Sequence, residues 1–201
     1  MKKLLPVALC AALVACGETR VVDLNDTAEV AQMQNVMELE YRDWETAAGE
    51  LTDSMLKSGA LSTTNKPIIA IDSIKNDTMQ RFDTDILVKK IRKTIVNSGR
   101  AQVTTTFTGE ESMSNKMRAT RSNAEYNQST FASTGTLVAP NMSLTGKMLQ
   151  RNLKLRSGWF SSTDTRVEYY LQMTLTDLKT GLSVWEEEKQ IVKEGDHAPT
   201  W

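Results

Sequence analysis

The chain is poor in the side chains that do chemistry. It holds one histidine, His197, close to its C-terminal end, and two cysteines, Cys10 and Cys16. A Ser-His-Asp triad or a Cys-His dyad needs an imidazole held in place, which a terminal tail does not provide. Tetrahedral zinc sites need several His or Cys ligands, and these are lacking, so no metal or other cofactor is expected. Neither GxxxxGKS/T nor GxGxxG occurs, so no phosphate-cradling loop is signalled. A formal net charge of −1 offers no general attraction to nucleic acid or anionic lipid. No apolar run is long enough to cross a bilayer as a permanent helix.

What is present begins at the N-terminus. Met1-Lys2-Lys3, a short apolar stretch and Leu13-Val14-Ala15-Cys16 make a secretory signal whose cut site precedes a cysteine. Residues 1–15 read as a lipoprotein signal peptide, with Cys16 as the lipid attachment site. The thiol carries the diacylglycerol thioether, and the freed amine is acylated in turn, typically with palmitate. Two or three acyl chains anchor stably where one does not. Cys10 lies in the discarded part, so the mature chain has no disulfide. Losing Lys2 and Lys3 takes the charge to −3. Gly17, rather than Asp, follows the lipid-bearing residue and favours transfer to the inner leaflet of the outer membrane, facing the periplasm.

Residues 16–41 are polar and read as a flexible tether, residues 42–193 as one globular domain and residues 194–201 as a tail. Trp44, Ala47, Ala48, Leu51 and Met55 recur at helical spacing, with Asp43 as N-cap and Gly59 as stop. Ile68 to Ile74 reads as a strand covered on both faces. Asp83-Thr84 caps a helix to Ser98 carrying Leu87, Ile91 and Ile95 on one side, closed by Gly99. Ala101 to Thr106 is a second strand, completing a strand–helix–strand unit. Thr108 to Gln128 reads as a weak helix and Ser129 to Pro140 as a loop. Met142, Leu144 and Met148 alternate, and the phase slips after Leu149 toward Leu153 and Leu155, which suggests a bulge near Gln150. Arg166 to Thr176 alternates cleanly as a half-exposed strand, and Asp177 to Gly181 is a hairpin turn leading to a return strand from Leu182.

Two blocks within this pattern carry a resemblance. One is Ile68-Ile69-Ala70-Ile71-Asp72-Ser73-Ile74-Lys75-Asn76-Asp77-Thr78, with the helix ending Asn97-Ser98-Gly99. The other is Tyr169 to Gly181 followed by Val184-Trp185. Together with the lipobox, they resemble the LpoB-type outer-membrane lipoprotein activators of bifunctional penicillin-binding proteins, over about Trp44 to Val192. The resemblance implies an α/β sandwich with a mixed sheet, helices packed on it and a C-terminal antiparallel hairpin, like the N-terminal domain of TolB. It implies a non-enzymatic protein that binds and activates a class A penicillin-binding protein in peptidoglycan synthesis. Neither the residues nor the resemblance fixes an oligomeric state, and a monomer is the expectation. Neither nucleic acid nor a small-molecule substrate is implied. No partner-binding side chain of the family carries over onto this sequence. Gly17 to Glu40 also lacks the long Pro-rich tether of the best-known members.

The resemblance leaves a second reading, an envelope-assembly or secretion lipoprotein of the curli type on the same fold. Its pore-forming hairpin would have to come from Asn141 to Leu178, where Arg151, Lys154, Arg156 and Arg166 suit lipid poorly. A hydrolase, the third reading, lacks a catalytic constellation. Trp159-Phe160, set between Ser157-Gly158 and Ser161-Ser162, is the candidate partner contact, because aromatics at a loop tip are hot-spot chemistry. Its competing reading is core packing against the sheet. Asp72 reads as a turn cap, Lys89, Lys90, Arg92 and Lys93 as a solvated helix face, and Glu186-Glu187-Glu188 as a charged strand edge.

Overall fold

The computed structural model describes residues 39–61, 66–107, 113–154 and 165–195. Helix α1 (Tyr41–Lys57) is followed by β1 (Ile68–Asp77), α2 (Asp85–Ser98), β2 (Gln102–Thr104), α3 (Met113–Ala119), β3 (Met142–Lys154), β4 (Thr165–Asp177) and β5 (Ser183–Gly195). The five strands form one mixed sheet in the order β2-β1-β3-β4-β5. β1 runs parallel to β2 and β3, and β3, β4 and β5 run antiparallel in turn. The expected α/β class and strand–helix–strand unit are both present, with α2 as the crossover.

Both long helices lie on one face. α1 packs on β4 and β5, α2 on β1 and β2, and the two helices on each other. The core joins their apolar stripes (Trp44, Leu51 and Met55; Leu87, Ile91 and Ile95) to Ile69, Ile71, Leu144, Met148 and the odd-numbered residues Val167 to Leu175. Burying each such side chain stabilises the fold by roughly 1.5–3 kcal/mol. Trp44 sits at the centre, stacked on Phe82 at 5.7 Å and edge-on to Tyr169 at 5.8 Å. Its indole N–H is buried without a hydrogen-bond partner.

Four sequence expectations are corrected. Among the described residues β1 is covered by a helix on one face only: Ile69 and Ile71 are buried while Asp72 and Ser73 are exposed. The bulge falls between Ile71 and Ile74 of β1 rather than near Gln150, and β3 pairs with β4 without a break from Met142↔Asp177 to Lys154↔Thr165. The extra residue returns Ile74 to the core, where it packs over Gly146; a Cβ there would lie 3.1 Å from Ile74 Cγ1. Third, Asp43 is not the N-cap of α1. It occupies the third helical position, and its carboxylate accepts the Glu40 N–H at 3.1 Å, so Glu40 is the N-cap. Fourth, Leu39, on the tether side of the expected boundary, is 2% exposed and belongs to the core. The Gln80 side chain bonds both its N–H and its C=O.

The β4–β5 turn follows the sequence closely. Asp177 Oδ1 accepts the N–H groups of Lys179 and Thr180, and Gly181 supplies φ of 72°.

Candidate functional site

Cys16, Trp159, Phe160 and His197 lie outside the described residues. The structure does fix the base from which Trp159 and Phe160 depart. β3 and β4 stay paired out to Lys154↔Thr165, and residues 155–164 connect them. Both strands earn this length by alternation. Their even-odd split sends Leu144, Met148, Leu171 and Met173 to the helices, and leaves mostly polar side chains, with Leu149 and Leu153 among them, on the open face of the sheet.

Near that base the open face carries a bonded cluster. Cross-strand pairs set Leu149 beside Tyr170, Arg151 beside Glu168 and Leu153 beside Arg166. The Tyr170 hydroxyl donates to Glu168 Oε2 at 2.6 Å and accepts from Gln190 Nε2 at 3.1 Å. Arg166 Nε lies 3.4 Å from Glu168 Oε1 and 3.4 Å from Glu194 Oε1, and Arg151 reaches Glu168 at 3.9 Å. Glu168 is 7% exposed although it points away from the helices. Hydrogen bonding to Glu168, aided by burial, raises the Tyr170 phenol above its ordinary pKa. Such a cluster holds side chains in one geometry before a partner arrives, which lowers the ordering cost of docking.

Elsewhere on this face Asp77 bridges Lys147 at 3.0 Å and Lys75 at 3.3 Å. The Lys147 hydrogen bond is the main reason its carboxyl titrates below the usual range. Gln172 donates to Glu188 at 2.6 Å. On the helix side, Lys90 pairs with Glu45 at 2.6 Å, which pushes the ammonium's pKa up, in a shallow groove between α1 and α2 lined also by Arg42, Gly49 and Asp53. Lys89 and Lys93 are exposed, as expected of a solvated face. Asp72 is exposed at the β1 bulge and accepts the Ser73 N–H, so it caps a bulge rather than a turn. Glu186 and Glu188 face the open side, whereas Glu187 turns to α1 and accepts from the Ser54 hydroxyl.

The segment between β2 and β3 is held largely by itself. Arg121 donates to the Ala132 carbonyl, Arg118 to Thr136 Oγ1 at 3.0 Å, and Tyr126 meets Phe131 edge-on. Among the described residues no group of three or more His, Cys, Asp or Glu is placed to hold a metal ion. No helix there is long and apolar enough to cross a membrane.

The cluster around Glu168 was missed in the sequence. Its signal was the polar half of the β4 alternation, Arg166, Glu168 and Tyr170 at every second residue. The arginine that completes it, Arg151, comes from another strand.

Comparison with known proteins gives one family and several structures. The family model described as peptidoglycan-synthase activator LpoB matches residues 43–191. The C-terminal domain of LpoB from Salmonella enterica aligns at 18% identity and TM-score 0.44, covering 74% of this chain and 98% of that one. The same domain from Escherichia coli gives 17%, 0.44, 74% and 98%. The solution structure of Escherichia coli LpoB gives 17% and 0.43, with 97% of this chain and 84% of that one covered. No curated protein matches by sequence.

Proposed function

This chain belongs to the LpoB family of peptidoglycan-synthase activators, and from that premise we propose that it binds a bifunctional, class A penicillin-binding protein and raises its glycan-polymerising activity without chemistry of its own. The observation that carries the proposal is the extent of the family match, residues 43–191, which takes in β1 to β4 whole and most of β5. In this reading Cys16 bears the lipid that holds the protein to the inner leaflet of the outer membrane. The folded domain faces the periplasm, and Trp159 and Phe160 enter the partner. A binder raises a synthase's rate only by favouring its active state over its inactive one. A rigid, pre-bonded docking surface suits that task, since its contacts discriminate between two shapes of the partner.

The test is polymerisation of lipid II by the class A synthases of the same cell, with and without the full chain. The expected result is a several-fold rate increase for one of them. Stimulation of none overturns the reading, and cleavage of sacculi by the protein alone overturns its non-enzymatic part. Replacing Trp159 and Phe160 together by alanine should weaken binding to the synthase by about 2 kcal/mol or more, with the melting temperature unchanged.

A further inference from the structure

The sheet ends in two unlike edges. β2 is 3 residues long; β5 is 13. Among the described residues nothing pairs with the outer edge of β5, so every second residue of that strand turns its N–H and C=O away from β4 toward solvent. Long free edges are usually blunted by proline, by a bulge or by charges pointing inward. β5 has no proline. Its one register shift against β4 lies at its start, between Ser183 and Trp185, and from Leu175↔Trp185 to Thr165↔Gly195 the pairing is unbroken. Its inward charges are already engaged by α1: Lys193 lies 2.8 Å from Asp43, Lys189 2.5 Å from Glu50, and Glu187 accepts from Ser54. From Trp185 onward the strand has neither proline nor bulge and its inward charges are used up, so its outward carboxylates are the protection that remains.

What remains on the open side of β5 is Glu186, Glu188, Gln190, Val192 and Glu194, all exposed. These carry three carboxylates and no cation, and Glu194 is already paired with Arg166 at 3.4 Å. Glu186 has no partner among the described residues, and Glu188 meets only the neutral Gln172 amide. Opposite charges on directly opposed strand positions attract and like charges repel. A second copy laid across Glu186 to Glu188 would set carboxylate against carboxylate.

We propose that the outer edge of β5 is a strand-addition site for an extended, basic segment of a partner protein. The segment pairs main chain to main chain along Trp185 to Val192 and sets Lys or Arg beside Glu186 and Glu188, with an apolar residue beside Val192. Main-chain bonds supply the affinity and the carboxylates select the sign of the ligand.

The test uses the full chain and three fluorescent ten-residue peptides. One carries lysine at the alternate positions set beside Glu186 and Glu188 and valine elsewhere, including beside Val192; one replaces the lysines by glutamate, and one is the lysine peptide with alternate backbone nitrogens methylated. Anisotropy should show the lysine peptide bound with a Kd below ~100 µM, and the glutamate and methylated peptides at least tenfold weaker. Hydrogen exchange of the Trp185–Val192 amides should slow at least tenfold with the lysine peptide, and that of β2 should not change. E186K combined with E188K should reverse the preference between the lysine and glutamate peptides. Absence of binding by the lysine peptide overturns the proposal. So does equal binding of the methylated peptide, which would mean side-chain attraction without strand pairing. Protection of β5 that grows with protein concentration and no peptide overturns it in favour of a second copy.

Discussion

β4 shows its two sides most plainly. Val167, Tyr169, Leu171, Met173 and Leu175 face the helices and are buried; Arg166, Gln172, Thr174 and Thr176, one residue out of step, are half exposed on the open face. Backbone and neighbours are shared, so the difference comes only from what lies above each face. On the covered face, stability comes from area removed from water and from close packing. On the open face it comes from hydrogen bonds and ion pairs in contact with solvent, each worth about 0–1 kcal/mol. The first face holds the fold, and the second can be altered without unfolding it.

The sharpest way to break this comparison is Trp44→Ala. Losing the stack on Phe82 and the edge contact with Tyr169 should lower unfolding free energy by about 3–5 kcal/mol in denaturant titrations. Trp44→Phe, which also removes the orphan N–H, should lose far less. A loss below about 1 kcal/mol for the alanine variant would show that the helix face is not where stability resides. Next in size is Gly146→Val, whose Cβ meets Ile74 at 3.1 Å and should cost about 1–3 kcal/mol. Adding Ile74→Ala should make the pair markedly non-additive, and simple additivity would mean that Ile74 is not the obstacle.

Changes on the open face should have smaller effects. Glu168→Ala leaves the Tyr170 hydroxyl and Arg166 without their carboxylate and should cost about 1–2 kcal/mol. Glu168→Gln should be milder, and should bring the Tyr170 titration, followed by phenolate absorbance, down toward the ordinary value. The raised phenol contributes stability that is full below the unfolded pKa and lost as pH rises through the folded one. An unmoved titration would mean Glu168 does not set it. Least of all is Asp77→Asn, which should leave the melting temperature at neutral pH nearly unchanged. Because the Asp77 carboxyl is held low by Lys147 and Lys75, its contribution is present above the usual carboxylate range and disappears as pH falls through the folded value. Wild type and variant should therefore melt alike in acid, and a gap that widens there would contradict the assignment.

Where one strand's own pattern decides the outcome, the sequence could be read. The period of two in Arg166 to Thr176 and the Asp177–Gly181 turn are local, and both appear where expected. Where the answer depends on what lies across the sheet, the reading failed. Leu149 and Leu153 looked like a phase slip; they are in step but on the open face, opposite Tyr170 and Arg166. The true bulge was marked by the adjacent polar pair Asp72-Ser73 inside an apolar run. Glu187 looked like its neighbours, yet it turns to Ser54, 133 residues away, a contact no window of sequence contains. Of the candidate site, the polar half of β4 was visible as a pattern but not as a cluster, because Arg151 and Gln190 come from other strands.

The placement of β1 between β2 and β3 has a kinetic consequence. β3, β4 and β5 join neighbours in the chain, whereas the main chain of Ile68 must find Asn141, 73 residues on, before the parallel seam can close. α1 waits longer still, since the strand it clamps ends at Gly195. Contacts this far apart in sequence slow folding, because loop entropy is lost before the contact forms. A chain made from its N-terminus displays the apolar faces of α1, β1 and α2 while the strands that bury them are not yet made. Folding of this domain therefore waits for the residues of β5, and until they are made the apolar faces of its first half are exposed to aggregation.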